Sequence, residues 1–313
     1  MSNKKNVAVL GAGVMGTGIA QLFASKGYPV TIIYVYDDIV RAKPLETMQE
    51  NLKILCDNDV MREDEIPSIL ENVTCTEDME AAAKSADIIF ECIVEDLATK
   101  QEYFKKLDEI CAPETILATN TSVISVTEIA EKSIHKERII GTHFWKPAYI
   151  IPLVEVVKTE HVSEKVVNET FSLLQEAGKK PVIVQDAPGF ALNRIQLAVL
   201  RECLHIVEQG IATPEAVDDV MKYGLGMRYA CLGPFEVCDL GGLDIFYNIA
   251  SYLFEDLADE KAPFGMLADR FEKGQYGVKT AAGFYDYAGG KDAEKIKYRD
   301  RMFTKISKCL FNS

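Results

Sequence analysis

The sequence contains no apolar run near the roughly 20 residues that a helix needs to cross a lipid bilayer, so we expect no membrane-spanning segment. Its first apolar stretch, residues 7–10, is too short for the hydrophobic part of a signal peptide, and glycines follow it directly. We therefore expect a cytoplasmic protein that has no membrane partner.

Basic residues are scarce relative to acidic ones. The chain has 34 Lys and Arg against 48 Asp and Glu, which gives a formal net charge of −14 at pH 7. A nucleic-acid-binding face needs a basic patch or stripe, and the sequence contains none. The charge favours solubility and argues against a nucleic-acid partner.

Paired cysteines and histidines are also lacking. The eight cysteines include no CxxC pair, and such pairs are a usual sign of a zinc site. We therefore expect no metal ion and interpret the cysteines as free thiols. Few residues can serve as a histidine general base, because histidine occurs at only four positions: His135, His143, His161 and His205.

Short β-rich runs alternate with helical patterns in the first half of this 313-residue chain. Such alternation predicts βαβ units and a mostly parallel sheet with helices on both faces. We assign strands to residues 7–10, 30–35, 88–92, 115–118, 139–142 and 153–157, and a helix to residues 14–26. Residues 42–72 have a helical, acidic pattern and suggest an insertion between the second and third strands.

The pattern changes at Pro188-Gly189, where two turn-forming residues follow each other. Beyond them it is almost entirely helical, over residues 191–209, 214–223, 243–259 and 263–273. Thr213-Pro214 is a typical helix start, with Thr as N-cap and Pro at the first helical position. The predicted fold class is α/β, with an N-terminal Rossmann-type, doubly wound, mostly parallel sheet in residues 1–187 and an all-α C-terminal domain in residues 188–313.

Gly11, Gly13 and Gly16 form a G-x-G-x-x-G pattern that follows a predicted strand and opens a predicted helix. In that context Gly11 permits a tight turn, Gly13 lets the backbone approach a pyrophosphate, and Gly16 allows close packing of helix on strand. The helix start, with Val14 and Met15, supplies amide donors for phosphates. The pattern predicts a dinucleotide cofactor; the alternative is an ordinary strand–turn–helix without a ligand.

An acidic residue about 20 positions after the glycines usually binds the adenosine ribose of NAD. Counting places Tyr34 there, and Asp37 is the acidic residue that a longer strand end would bring to the ribose. No Arg adjoins the position to hold the 2′-phosphate of NADP, since the nearest is Arg41. We therefore predict NAD, with Asp37 as the ribose ligand.

His143 follows a strand of the predicted sheet, where open α/β sheets bind ligands. Histidine suits proton transfer to and from a hydroxyl near neutral pH. Further along, Glu155 lies inside an apolar strand, and a carboxylate there needs a partner because burying a lone charge is costly. We infer a pair in which Glu155 orients the His143 ring; a purely structural pair is the alternative.

Several short motifs occur along the chain in a fixed order. They are G-x-G-x-x-G at residues 11–16, ECIVED at 91–96 with Lys100, NTS at 120–122, HFWKP at 143–147, PLVEV at 152–156, PGF-x-x-NR at 188–194 and GFYDY at 283–287. This set resembles the 3-hydroxyacyl-CoA dehydrogenase family over nearly the whole chain. The resemblance implies an NAD-dependent oxidoreductase that interconverts an L-3-hydroxyacyl-CoA, such as 3-hydroxybutyryl-CoA, and the 3-ketoacyl-CoA by hydride transfer.

The resemblance also implies roles for individual residues. His143 is the acid/base and Glu155 its orienting partner, while Ser122 and Asn193 hydrogen-bond the substrate oxygen at C3. The residues assigned to the cofactor are Gly11, Gly13, Val14, Met15, Gly16, Asp37, Asn120 and, at the nicotinamide half, Glu95 and Lys100. Lys146 stands where the family usually has Asn. It would disfavour protonation of His143 if close, because like charges repel, or it would point at a substrate anion.

Two observations bear on the substrate. Residues 224–230 resemble the family branch of L-gulonate 3-dehydrogenase, also known as λ-crystallin, in which Arg228 would grip the carboxylate of a free 3-hydroxy acid with two hydrogen bonds; a surface arginine is the alternative. Residues 42–72 contain eight acidic and three basic residues, whereas acyl-CoA enzymes have a lysine-rich region there that holds the phosphates of coenzyme A. Against this, residues 143–145 and 242–244 are closer to the acyl-CoA version of the motifs.

Three functions therefore stay open. The first is the acyl-CoA dehydrogenase reaction, the second is dehydrogenation of a free 3-hydroxy acid such as L-gulonate or carnitine, and the third is a catalytically silent, crystallin-like structural protein. The intact set of Ser122, His143, Glu155 and Asn193 argues against the third. The family resemblance further implies a homodimer formed through the helical domain.

Overall fold

The computed structural model describes residues 4–35 and 42–311. Its strands are β1 Val7–Leu10, β2 Val30–Ile33, β3 Val73–Thr76, β4 Ile88–Glu91, β5 Ile116–Thr119, β6 Ile139–Phe144, β7 Leu153–Lys158 and β8 Lys180–Gln185. They form one eight-stranded sheet in the order β3-β2-β1-β4-β5-β6-β7-β8. All neighbouring pairs are parallel except β6 and β7, which are antiparallel. The predicted fold class, a mostly parallel Rossmann-type sheet followed by helices, is confirmed.

The central strands of the sheet are buried on both faces. Alternate residues of a strand point to opposite faces, and in β1 Val7 and Val9 pack in one hydrophobic cluster while Ala8 and Leu10 pack in another. Strands that are buried on both faces consist of near-continuous apolar runs, which is why β1 is recognisable in the sequence. Because the faces are covered, ligands meet such a sheet at the carboxyl ends of its strands.

Helices connect the strands of this sheet. Their bounds are α1 Val14–Ser25, α2 Pro44–Cys56, α3 Ile66–Glu71, α4 Met79–Ser85, α5 Leu97–Ile110, α6 Val126–Ile129 and α7 Glu164–Glu176. Aspartates cap two of them: Asp78 accepts the amide of Ala81 in α4, and Asp96 accepts the amide of Thr99 in α5, each at 2.9 Å. Each cap satisfies a backbone amide that has no partner within its helix.

The sequence pattern does not indicate β3 or β8. Strand β3, Val-Thr-Cys-Thr, lacks an apolar run, and β8 is an edge strand in which Val182 and Ile183 remain largely exposed. With β3 in place, residues 42–72 form the connection from β2 to β3, through α2, a 3₁₀ turn at Glu63–Glu65, and α3. The segment predicted as an insertion is therefore part of the crossover between two parallel neighbours, and it is longer than the roughly dozen residues that such a connection needs.

The chain forms two compact units. The first ends at Asn193 and also includes the chain from Asp300 onward, and the second is Arg194–Arg299. The helices of this later part are α8 Leu192–Glu208, α9 Pro214–Val220, α10 Gly226–Tyr229, α11 Pro234–Gly241, α12 Leu243–Leu253, α13 Gly265–Glu272 and α14 Lys291–Phe311. Helix α14 thus begins in the second unit and ends in the first. None of the described helices is long and apolar enough to span a membrane.

Most helices predicted for the later part are present with shifted ends. Thr213 accepts the amide of Ala216 and Pro214 lies in the first turn of α9, as predicted. A π-helical turn, Met221–Leu225, follows α9 directly. Helix α12 ends at Leu253, well before the predicted residue 259, and α14 was not predicted. Helix α14 is strongly charged, so its apolar positions are too few to stand out in the sequence.

Candidate active site

The glycine turn joins β1 to α1, and two of its glycines, Gly11 and Gly16, have a steric reason to be there. Gly11 has a φ of +104°, and a Cβ on Gly16 would meet the Gly11 oxygen at 2.0 Å. Among the described residues, nothing lies within 4 Å of a Cβ built on Gly13, and none caps α1 with its side chain. The open space at Gly13 and the uncapped helix start together fit the pyrophosphate of a dinucleotide.

Other residues near this turn were also predicted to bind the cofactor. Val14, the first residue of α1, is exposed, whereas Met15 is partly buried against the core. Asp37 lies outside the described residues, so its contact with the ribose stays a prediction. Tyr34 follows β2, is half-buried, and its amide donates to the Thr76 oxygen at 2.9 Å.

Glu91, the last residue of β4, forms a fully buried ion pair with Lys100 of α5. Lys100 Nζ lies 2.7 Å from Glu91 Oε1, and both side chains are 0% exposed. Thr119 Oγ1 donates to Glu91 Oε2 at 2.7 Å. Burial raises the pKa of Glu91 and outweighs the opposing effect of Lys100. The Lys100 ammonium is therefore engaged inside the protein, and its contact with the nicotinamide stays a prediction.

Glu95 connects this buried pair to the loop that carries Ser122. Lys100 Nζ lies 3.4 Å from Glu95 Oε2, and Glu95 Oε1 accepts the Thr121 hydroxyl at 2.6 Å and the Ser122 amide at 2.8 Å. Burial raises the pKa of Glu95, but these hydrogen bonds and the charge of Lys100 together place it below its ordinary value. Glu95 is thus an ionised, partly exposed carboxylate that holds the Ser122 loop.

Two asparagines hold the same loop. Asn120 Oδ1 accepts the amide of Phe144 in β6 at 3.0 Å, which joins the end of β5 to the strand of His143. Asn193 Nδ2 donates to the Ser122 carbonyl oxygen at 2.8 Å. Ser122 itself is exposed. The structure therefore brings together Ser122 and Asn193, the two residues predicted to bind the substrate oxygen.

His143 and Glu155 face each other across the antiparallel strands β6 and β7. His143 Nδ1 lies 2.7 Å from Glu155 Oε2, and the side chains are only 5% and 1% exposed. Burial raises the pKa of Glu155, but the His143 ring and two backbone amides together lower it below its ordinary value. An ionised Glu155 accepts the Nδ1 hydrogen and leaves Nε2 as the basic nitrogen of the ring.

Further contacts enclose this pair. Glu155 Oε1 accepts the amides of Ala191 and Leu192, each at 2.9 Å. The ring centroids of Trp145 and Phe190 lie 5.1 Å and 5.6 Å from that of His143. Aromatic walls keep water from the pair, and a low local dielectric strengthens the interaction between a carboxylate and an imidazolium.

Two further residues from the sequence analysis have exposed side chains. Arg228 belongs to the second unit, where it is exposed in the short helix α10. Lys146, two residues after the end of β6, is exposed and is joined to Pro147 by a cis peptide bond. The roles assigned to these two side chains stay predictions.

The structure adds two residues whose roles the sequence analysis missed. One is Glu91, which the argument used for Glu155 would have found, since a carboxylate that ends an apolar strand needs a buried partner. The other is Asp186, which accepts the Ser125 hydroxyl at 2.7 Å and the Thr127 amide at 2.8 Å. Asp186 thus holds the start of α6, directly after the Ser122 loop. No sequence signal marked it, because an aspartate in a turn is usually solvated.

Two domains of one family match consecutive parts of the chain. The NAD-binding domain of 3-hydroxyacyl-CoA dehydrogenase matches residues 6–187, and the C-terminal domain of the same family matches residues 189–287. A probable 3-hydroxybutyryl-CoA dehydrogenase of Bacillus subtilis is 38% identical over 284 residues, which cover 90% of this chain and 97% of that protein.

Other similarities extend to nearly the whole chain. The 5-formyl-3-hydroxy-2-methylpyridine 4-carboxylate 5-dehydrogenase of Mesorhizobium japonicum is 31% identical over 313 residues, 98% of each protein. A crystal structure of 5-formyl-3-hydroxy-2-methylpyridine 4-carboxylic acid 5-dehydrogenase, an NAD+-dependent dismutase, matches with a TM-score of 0.90 and 28% identity, and 98% of each chain is covered. These similarities include most of α14, which lies beyond the C-terminal domain of the family.

Proposed function

Because the chain belongs to the 3-hydroxyacyl-CoA dehydrogenase family and is an NAD-dependent oxidoreductase, we propose that it oxidises the C3 hydroxyl of a short-chain L-3-hydroxyacyl-CoA, such as 3-hydroxybutyryl-CoA. The observation that carries this proposal is the buried contact of 2.7 Å between His143 and Glu155. It lies near the carboxyl end of β6, on the same edge of the parallel strands as the glycine turn. The 38% identical relative named a probable 3-hydroxybutyryl-CoA dehydrogenase supports a CoA-linked substrate.

The residues of this chain perform the proton transfer. Ser122 and Asn193 hydrogen-bond the C3 oxygen and orient the hydroxyl toward His143. His143 Nε2 accepts the hydroxyl proton, and Glu155 stabilises the imidazolium that forms. In the reverse direction the imidazolium returns the proton to the C3 oxygen. The chemistry that NAD supplies when bound is the acceptance of a hydride from C3.

The turn at Gly13 and the start of α1 would hold the pyrophosphate of NAD, and Glu95 would contact its nicotinamide half. This arrangement places the cofactor phosphates on one element and the proton acceptor on another. The two functions can therefore be tested separately by mutation.

A direct test is the formation of NADH from NAD and (S)-3-hydroxybutyryl-CoA, followed by absorbance. We expect saturable turnover with the CoA ester and slow turnover of the opposite enantiomer, because Ser122 and Asn193 bind the hydroxyl on one side. A protein that binds NADH yet oxidises no 3-hydroxyacyl-CoA of any chain length would contradict the proposal.

A second candidate is the oxidation of a small substrate that carries a free carboxylate. The similarity to a pyridine carboxylate dehydrogenase over 98% of each chain favours it. The negative charge of residues 42–72 also favours this candidate. Two of the three basic side chains in this segment are paired with neighbouring acids: Lys43 with Glu46 at 2.9 Å, and Arg62 with Asp64 at 3.0 Å. Such a surface repels the phosphates of coenzyme A, within the roughly 10 Å over which salt does not screen the charges.

Arg228→Met distinguishes the two candidates. If Arg228 binds a free carboxylate, the variant should raise KM for free 3-hydroxy acids by roughly 10–150-fold, from the loss of a charged hydrogen-bonding partner worth about 1.5–3 kcal/mol. Turnover of CoA esters should hardly change. Lys297→Met, which removes an exposed charge from the same unit, is the control. If the wild type turns over CoA esters and no free acid, this role of Arg228 is wrong.

A further inference from the structure

The carboxylate of Glu155 makes contacts with two separate elements. One oxygen, Oε2, accepts a hydrogen bond from His143 Nδ1 at 2.7 Å. The other accepts the amides of Ala191 and Leu192, each at 2.9 Å, and Leu192 is the first residue of α8. The first amides of a helix have no partner within it, and a negative charge at that end is favourable. Glu155 therefore stabilises the start of α8 independently of His143.

Asn193 is the residue that follows these two amides. It lies in the first turn of α8, and its Nδ2 donates to the Ser122 carbonyl oxygen at 2.8 Å. The orientation of the Asn193 side chain depends on where the first turn of α8 begins. A carboxylate that holds the amides of Ala191 and Leu192 therefore also determines the position of Asn193.

The turn that leads into α8 needs such a support. Gly189 and Phe190 both have a positive φ, of +75° and +49°, and a bulky residue in that region is strained unless its surroundings hold it. Phe190 is buried, its amide donates to the Ala187 oxygen at 2.9 Å, and its ring lies against His143. The hydrogen bonds to Glu155 follow directly after this strained residue.

We propose that Glu155 positions Asn193 as well as His143, so that a single carboxylate sets the relative placement of the proton acceptor and a ligand of the substrate oxygen. The inference rests on the function proposed above for these two residues. Glu155 is a positioning residue in both contacts, since it acts on the substrate through His143 and Asn193.

Two substitutions of Glu155 separate its contacts. In Glu155→Gln the amide oxygen can still accept the two backbone amides, while its NH2 group faces His143 Nδ1. The ring must then carry its hydrogen on Nε2, which is the wrong tautomer for a base. Glu155→Leu removes the acceptors for both elements. Glu155→Gln therefore disrupts only the contact with His143, whereas Glu155→Leu disrupts the contacts with both His143 and the start of α8. If Glu155→Leu does not fold, Glu155→Met, which is unbranched, replaces it.

The first measurement needs no ligand. In Glu155→Leu we expect the backbone amides of Ala191 and Leu192 to exchange with solvent about tenfold faster, as the loss of a hydrogen bond predicts, and the NMR signals of the Asn193 side-chain amide to shift. Glu155→Gln and His143→Gln should change both only slightly. Asp78→Ala, which removes a carboxylate cap from α4, is the matched control and should leave the start of α8 unchanged.

The second measurement determines kcat and KM separately for each variant, with (S)-3-hydroxybutyryl-CoA as substrate. Glu155→Gln should lower kcat, and Glu155→Leu should lower kcat equally and also raise KM by up to about tenfold, the value of one neutral hydrogen bond at the high end of its range. In an Asn193→Ala background the difference in KM between the Gln and Leu variants should vanish.

Three outcomes would overturn the inference. They are equal amide exchange in the Leu and Gln variants, an unchanged Asn193 signal in Glu155→Leu, or a difference in KM that persists in the Asn193→Ala background. The failure of the proposed function has a different signature, because a wild type without turnover leaves the exchange and NMR measurements intact, and these still decide whether Glu155 positions Asn193.

Discussion

Buried and half-buried carboxylates organise the residues of the site. Glu91 holds Lys100, Glu95 holds the Ser122 loop, and Glu155 holds His143. The pKa of Glu91 is raised because burial dominates, whereas the pKa values of Glu95 and Glu155 are lowered because hydrogen bonds from side chains and backbone amides, together with a neighbouring positive charge, outweigh burial. Removing the partner of a buried ion pair typically costs about 3–5 kcal/mol, so the two buried pairs, Glu91 with Lys100 and Glu155 with His143, depend on both members.

The proton acceptor is tested by His143→Gln. General-base catalysis supplies roughly 10²–10⁴-fold in rate, so kcat should fall by about that range. NADH binding should stay nearly intact, because the glycine turn binds the phosphates. Single-turnover rates and NADH titration measure the two effects. His161→Gln, a substitution of a histidine outside the site, is the control, and a folded His143→Gln with near-normal kcat would disprove the mechanism.

The cofactor site is tested by Gly13→Val. In the part of the chain that the structure describes, nothing lies within 4 Å of a Cβ at this position, and its φ is −69°, so the substitution should leave the fold and its melting temperature almost unchanged. The side chain would instead occupy the space for the pyrophosphate and weaken NADH binding at least about 100-fold, or about 2.8 kcal/mol. Gly224→Val, also at a glycine with open surroundings, should bind NADH normally. Normal affinity in Gly13→Val would rule out this cofactor site.

At the scale of elements, Lys179 supports the segment that follows the strand of His143. Lys179 Nζ donates to the carbonyl oxygens of Ala148 and Ile151, between β6 and β7. It is almost fully buried, and burial together with repulsion from Lys26 lowers its pKa from 10.5 to about 7. Lys179 lines a cavity together with Lys180 and Glu65. The two hydrogen bonds that Lys179 donates persist when its amine is neutral, because a neutral amine still has two N–H donors.

Lys179 predicts a pH dependence of stability. Between pH 7 and 10.5 the Lys179 side chain is protonated in the unfolded chain and neutral in the folded chain. The free energy of unfolding therefore increases as the pH rises through that window. Lys179→Met should make this rise shallower by up to about 1.4 kcal/mol per pH unit. Urea unfolding across the window measures it. Lys180→Met, at the exposed neighbour, should behave as wild type, and parallel curves for wild type and Lys179→Met would contradict the assignment.

At the scale of the whole molecule, the second unit exposes many large apolar side chains. Phe235, Leu240, Tyr247, Tyr252 and Phe254 are each more than 70% exposed. Extensive apolar exposure is uncommon on soluble monomers and marks sites of association. We infer that this unit forms the contact between two copies of the chain.

Light scattering tests this assembly. A dimer should show twice the monomer mass of 34.8 kDa at micromolar concentration. Phe235→Glu combined with Tyr252→Glu should weaken association by at least about 30-fold, or about 2 kcal/mol, because aromatic side chains in an interface commonly contribute that much. Ile134→Glu, at an exposed position of the first unit, should not change the mass. A wild type that stays monomeric would refute the dimer.

The sequence by itself determined the features that depend on short stretches of backbone. The glycine turn follows from the sterics of Gly11 and Gly16, and β1 follows from an apolar run that must be covered on both faces. The contact between His143 and Glu155 was predicted from a general rule, that a carboxylate in an apolar strand needs a partner. Strand β3 was not predicted, because a short half-buried strand has no apolar run to mark it.

Only the tertiary structure decided which partner each buried group takes. Glu91 meets Lys100, Asp186 holds the start of α6, and Glu155 Oε1 meets the start of α8. Hydrogen bonds act over about 3 Å, whereas these partners are separated along the chain and are brought that close only when strands and helices pack. The sequence shows that a buried charge must be neutralised, and the packing of the elements selects the group that neutralises it.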